Sequence, residues 1–171
     1  MSLPKKLNTG FTLVELLVVI AIIGVLATLI TGGFISSQMR GRDTQRKSDL
    51  KQLANALELY YGDYGSYPNV SNGLVVGCPA LPAPANCTWG SSEFTDSKTT
   101  YIKKVPIDPV SNQKYYYRIV TNSNNKKFQL FAHLENTQDV SLTSVVSGVD
   151  CGTGTACNFA VTSANTSPTE Q

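Results

Sequence analysis

Three kinds of side chain in this 171-residue sequence could do chemistry: four thiols, one imidazole, and one carboxylate set in an apolar run. The thiols, Cys78, Cys87, Cys151 and Cys157, are spaced C-x8-C and C-x5-C, which is not the C-x2-C knuckle of a zinc site. His133, the only histidine, lies between the two pairs without a ligand-like neighbour, so neither a metal nor a cofactor is expected. An even set of thiols beside a membrane-length segment reads instead as two disulfides made in an oxidising compartment. Three connectivities are open, and the local pairs, Cys78 with Cys87 and Cys151 with Cys157, are preferred. His133 sits in F-A-H-L, where it alternates with apolar neighbours as a strand residue does. There is no G-x-S-x-G elbow, phosphate loop or His-centred triad, and the expectation is a chain that is not an enzyme.

The carboxylate is Glu15. It is the one ionisable side chain between Phe11 and Met39, and from Leu16 to Met39 there are 24 consecutive residues without a charge. At ~1.5 Å per residue a helix over that run reaches ~36 Å, enough to cross a hydrocarbon core ~30 Å thick. Between Phe11 and Ile30 stand fourteen Leu, Ile, Val and Phe, each worth roughly −0.3 to −0.6 kcal/mol, which together outweigh a cost of about 3 kcal/mol for one acid. A glutamate at the end of such a span either snorkels to the headgroups or is kept there for a cationic partner. Charge counting does not orient the span, because Arg40, Arg42, Arg46 and Lys47 beyond it outnumber Lys5 and Lys6 before it.

Gly10 to Leu16 reads G-F-T-L-V-E-L, preceded by Lys5 and Lys6 and followed by unbroken apolar sequence. In this the chain resembles the type IV pilin and pseudopilin family, whose precursors carry a short basic leader ending in glycine and then F-T-L-x-E-L. The resemblance implies that a prepilin peptidase in the inner membrane cuts between Gly10 and Phe11 and methylates the new amino terminus on Phe11. It also implies a single-pass protein with its head on the outer side, stored in the lipid bilayer and drawn by an assembly machinery into a helical homo-oligomer. A type IV pilus-like filament is the expected product. The alternative is the major pseudopilin of a type II secretion system, and a third reading is a minor pilin for adhesion or DNA uptake.

Two further segments, E-L-Y-Y-G-D-Y-G-S-Y-P at 58–68 and Y-I-K-K-V-P-I-D-P at 101–109, look like that pseudopilin. The group's aspartate-rich calcium loop is replaced here by the stretch from Cys151 to Cys157, so no calcium site is carried over. Asp108, between prolines, is expected to organise a turn. The motif also has a physical account. Cleavage leaves a cationic amine on Phe11, a charge in a low-dielectric filament core needs an opposite charge, and Glu15 of one chain can answer the amine of a neighbour. Where many pilins have a proline, this chain has Gly32 and Gly33, which loosen a helix or admit a close neighbour.

The elements that would position these groups follow from periodicity. Leu50, Leu53, Leu57, Tyr60 and Tyr64 are spaced 3, 4, 3 and 4 apart, a helical stripe, with Arg46, Lys47, Asp49, Lys51 and Glu58 read as lying off it. The helix is expected to stop near Gly62, where Gly65 and Pro68 follow. Residues 69–100 read as a loop-rich flap with Pro79, Pro82 and Pro84 between two cysteines. Tyr115–Val120, Lys127–Leu134 and Asn158–Thr162 read as strands, with a turn at Thr121–Asn125. The fold class is therefore α+β, a long N-terminal helix packed on a small antiparallel sheet. The boundaries are a leader at 1–10, a transmembrane and filament-core helix at 11–39, an amphipathic helix at 40–62, a head at 63–162 and a flexible tail at 163–171.

Loss of Lys5 and Lys6 with the leader brings the formal charge from +2 to zero, so nucleic acid is not an expected partner of the mature chain as a whole, although Lys103, Lys104, Lys126 and Lys127 and the many tyrosines keep a binding module in view. Intact-mass and N-terminal analysis of the unreduced mature protein is expected to show residues 1–10 gone, a methyl on Phe11 and no free thiol. A mature chain that still begins at Met1 would refute the processing.

Overall fold

A computed structural model describes residues 10–78, 84–96 and 98–171, with the side chains at 29–33 left undescribed. Lys5 and Lys6 of the leader, and Pro79 and Pro82 of the expected flap, lie outside the described residues. The chain divides into two compact units, Met1–Gln38 and Met39–Gln171.

Helix α1 (Leu13–Tyr64) contributes to both units. In the first unit its start is set by Thr12, which lies just before the first helical residue and is a good N-cap. The apolar side chains from Leu13 to Leu26 are all exposed, as is Phe11 at 81%. Among the described residues no helix is long and apolar enough to cross a membrane. The expected span runs through 29–33, whose side chains lie outside the described residues.

In the second unit α1 turns amphipathic, and Leu50, Leu53 and Leu57 become fully buried. The expected stripe is therefore the face that meets the head. The helix runs two residues past Gly62 to Tyr64, and Gly65 then takes a left-handed φ of +69°. A single glycine costs a helix up to ~1 kcal/mol and is tolerated, whereas a left-handed residue ends it.

The three expected strands are present as β5 (Tyr116–Ile119), β6 (Phe128–Ala132) and β7 (Phe159–Thr162), an antiparallel sheet ordered β5-β6-β7. Tyr116 faces Phe131 and Ile119 faces Phe128 across one ladder, while Gln129 faces Thr162 across the other. The turn between β5 and β6 uses Asn122, Asn124 and Asn125 at positive φ, where asparagine is better tolerated than most residues. The region read as a loop-rich flap holds two short hairpins instead: β1 (Asn69–Ser71) with β2 (Leu74–Val76), and β3 (Phe94–Thr95) with β4 (Thr100–Ile102). The first has a sequence signal that composition obscured. Asn72-Gly73, both at positive φ, is the dipeptide that a two-residue hairpin turn favours.

Strand β6 is buried along its whole length. Phe128, Leu130 and Ala132 join the main core with the helix stripe, Tyr115 and Tyr117, while Phe131 faces a smaller core with Val146, Cys151 and Cys157. The segment 163–171, expected as a flexible tail, is tied to this sheet. Gln129 Nε2 donates to the Ser167 and Glu170 carbonyls (2.7 and 2.9 Å), Arg118 Nη1 donates to the Glu170 carbonyl (3.1 Å), and Lys127 pairs with the Glu170 carboxylate at 2.5 Å. A polar composition suggested a solvated segment, but β6 buries Gln129, and a buried amide needs partners that the tail carbonyls supply.

Leu57→Ala is expected to destabilise the head by about 2 to 5 kcal/mol, since it removes a fully buried side chain and leaves a cavity. Urea unfolding of the full chain in detergent measures this, and a loss below about 1 kcal/mol would contradict the packing described.

Candidate functional site

Two constellations stand out: the start of α1 and the point where the head grips it. At the start, Gly10 and Phe11 precede the helix, and Glu15 sits in its first turn. Glu15 Oε2 accepts from the Thr12 backbone N–H (2.8 Å) and from its hydroxyl (2.7 Å), and the Glu15 N–H reaches back to Thr12 Oγ1 at 3.3 Å. This is a reciprocal capping box, which satisfies helix-terminal donors with one carboxylate. A negative charge there is also favoured by the positive end of the helix. The carboxylate is thus occupied within its own chain, yet exposed at the end of an apolar rod, where a cation can reach it.

The grip centres on Arg46, which is 0% exposed. Its Nε and Nη2 donate to the two oxygens of Asp108 (2.8 and 3.0 Å), a bidentate pair. Nη1 meets Asp43 and Glu135, both at 2.8 Å, and Nη2 also donates to Gln113 Oε1 at 2.9 Å. The acceptors are themselves held. Asp43 takes the backbone N–H groups of Glu135 and Asn136, Asp108 takes that of Val110, and Glu135 is shared with Arg42 at 2.5 Å. Among the described residues no buried side-chain nitrogen or oxygen lacks a partner. Burial alone would weaken the Arg46 charge, but the hydrogen bonds it donates to Asp108 and Glu135 more than offset it, and its pKa stays above the ordinary value.

This corrects the placing of Arg46 on the outward face. Arg46 stands four residues before Leu50, so the stripe continues backward through it, and Asp43 lies one turn earlier. The period was legible; a charged residue type had argued against counting it. Asp108 does organise the turn between its prolines and also supplies two of the five contacts on Arg46.

Phenol–carboxylate bonds tie the rest of the helix to the head. Tyr115 donates to Asp49 (2.7 Å), Tyr67 to Glu58 (3.0 Å), Tyr101 to Asp63 (2.8 Å) and Tyr64 to Asp96 (2.7 Å). The backbone N–H of Thr99, with the Tyr64 hydroxyl, holds the Asp96 carboxyl far below its ordinary range. Asp49 is raised instead, because burial outweighs the bond from Tyr115. Most tyrosines are therefore spent on packing, Lys127 is paired, and the exposed Lys103 and Lys104 lie on one loop and Lys126 on another. His133 Nδ1 lies 2.7 Å from the Ala156 carbonyl oxygen. Cys78 is bonded to Cys87 and Cys151 to Cys157, with no free cysteine. Among the described residues no group of three acidic, histidine or cysteine side chains is placed to hold a metal.

Comparison with known proteins matches residues 5–31 to the prokaryotic N-terminal methylation motif and residues 34–139 to the family of type II secretion system protein G. The chain is 35% identical to the type II secretion system core protein G of Pseudomonas aeruginosa over 117 residues, 67% of this chain and 76% of that protein. It is 38% identical to the protein of that name in Escherichia coli, over 60% of this chain and 67% of the other, and 34% identical to that in Vibrio cholerae, over 66% and 73%. No solved structure matches the chain.

The Arg46 cluster makes the head sensitive to acid. Hydrogen bonds from Arg42, with smaller help from Arg46 and against some burial, lower Glu135 from its ordinary 4.5 to about 2. A depressed carboxylate contributes stability that is present above its ordinary value and is lost as pH falls toward its folded one. Stability from urea unfolding is therefore expected to fall between pH 4.5 and about 2, with a shallower fall in Glu135→Gln. Equal slopes in the two proteins would show that Glu135 is not the group responsible.

Proposed function

We propose, since the chain belongs to the type II secretion system protein G family, that it is the structural subunit of a secretion pseudopilus, not of a surface pilus. The observation that carries this is the match to protein G across 34–139, beyond the methylation motif. The pilin-like start alone would fit either filament, and the resemblance at 58–68 and 101–109 leans the same way. The function is structural, and its partners are copies of the same chain, a prepilin peptidase, an assembly machinery in the inner membrane and the bilayer itself.

In this reading cleavage between Gly10 and Phe11 frees a cationic amine, which is then methylated, at the end of an apolar rod. Before assembly the rod is stored in lipid, and Glu15 is satisfied by Thr12. During assembly the apolar side chains of Leu13 to Leu26 exchange lipid for neighbouring rods, and Glu15 exchanges part of its capping box for the amine of a neighbour. A buried charge left without its partner costs about 3 to 5 kcal/mol, enough to reject subunits that enter out of register.

Deleting the chain from the cell that makes it is expected to stop export of folded proteins to the medium while surface filaments persist. Restoring it as Glu15→Ala is expected to give a processed, membrane-held subunit that does not enter filaments and does not restore export. Loss of surface filaments with intact export would instead favour the pilus reading.

A further inference from the structure

The Arg46 cluster is reached by two arms of chain, and both are hydrogen-bonded to one disulfide-closed loop or the residue that follows it. At one end, the Cys151 carbonyl accepts from the Lys114 N–H at 2.8 Å, Gln113 forms an isolated antiparallel bridge with Gly152, and Lys114 Nζ lies 3.2 Å from Asp150. Gln113 is the residue whose side chain accepts from Arg46. The two segments approach so closely that a Cβ on Gly152, at φ +147°, would lie 2.3 Å from the Asn112 carbonyl oxygen, so only glycine fits. At the other end, Cys157 leads into Asn158, whose amide accepts from Leu134 N–H (2.7 Å) and donates to its carbonyl (3.0 Å). Leu134 precedes Glu135, the carboxylate that Arg42 and Arg46 share. Between the two ends, Cys151 N–H donates to the Thr155 carbonyl at 3.0 Å and Asp150 bridges Ala156.

We propose that the Cys151–Cys157 disulfide is a redox-dependent brace for the Arg46 cluster: when oxidised it fixes the spacing of the Gln113 and Glu135 arms, and when reduced it lets them separate. The chemistry is thiol–disulfide exchange. A dithiol reductant breaks the one S–S bond, the two sulfurs gain two electrons and two protons, and the reductant closes its own disulfide; a disulfide-bearing oxidant reverses the step. Cys151 is fully buried and Cys157 nearly so, so exchange there needs the loop to open, whereas half-buried Cys78 leaves its bond to Cys87 more accessible. The Cys78–Cys87 disulfide borders β2, with the Cys78 and Cys87 N–H groups donating to the Ala85 and Val75 carbonyls, which makes it an internal control. The consequence is that the head grips its helix fully only where disulfides persist, on the outer side of the membrane, independently of what the filament does.

Amide hydrogen exchange on the full chain in detergent tests this, because the Glu135 and Asn136 N–H groups bond Asp43 and the Val110 N–H bonds Asp108. Cys151→Ser with Cys157→Ser is expected to speed exchange at these three amides roughly tenfold, and Cys78→Ser with Cys87→Ser to change it less than about twofold. Faster exchange confined to 150–157, with the three cluster amides unchanged, would overturn the proposal. If the first pair unfolds the head, as read from Trp89 emission, then Asn158→Ala decides, with both disulfides intact. It frees the Glu135 arm from the loop and is expected to expose the Glu135 and Asn136 amides, and full protection of both would overturn the brace.

Discussion

A guanidinium shut away from water keeps its charge only where its N–H groups find acceptors, and at Arg46 those acceptors are four side chains from three stretches of chain. Asp43 lies one turn back on the same helix, Asp108 and Gln113 flank the turn before β5, and Glu135 follows β6. Three carboxylates and an amide from distant parts of the sequence must converge before the helix can dock. Such a cluster adds little net stability over an apolar core of equal volume, since desolvation opposes the attraction. Its effect lies in selection, because a docking that slides the helix by one residue separates Arg46 from its acids and strands charge in the core.

The same logic of satisfaction runs through the rest of the head. Gln129, buried on the central strand, draws the C-terminal segment onto the sheet through two carbonyls, and that segment brings Glu170 to Lys127. Asp49, Glu58 and Asp63 on the helix each take a phenol from the head, which lets large aromatic rings pack while their hydroxyls stay bonded. Burial drives the elements together, and paired polar groups decide which of the apolar contacts occur.

The N-terminal unit poses the opposite case. From Leu13 to Leu26 it shows apolar side chains on every face and one carboxylate closed on its own helix start. A rod of that kind has no internal core to bury, so its surroundings must supply the apolar contact, first as lipid and then as copies of itself in the function proposed here. The capping box gives Glu15 a partner for the interval between them.

The family, the helix and its stripe, the three strands of the main sheet and the α+β class were legible in the residues alone, because these rest on short motifs and on periods of two and near 3.6 that local stretches carry. The Asn72-Gly73 hairpin was equally local and was masked only by the prolines and glycines around it. Tertiary structure decided what composition could not. Arg46, Asp108 and Glu135 are ordinary surface types in sequence, 62 residues apart for the first pair and 89 for Arg46 and Glu135, and no local pattern says that they share one buried site. The fate of the tail was likewise set from a distance, by an amide on a strand whose second face had to be covered. Long-range pairing of polar groups is invisible in one sequence because each partner's type is common, and its meaning comes only from the solvent it loses on folding.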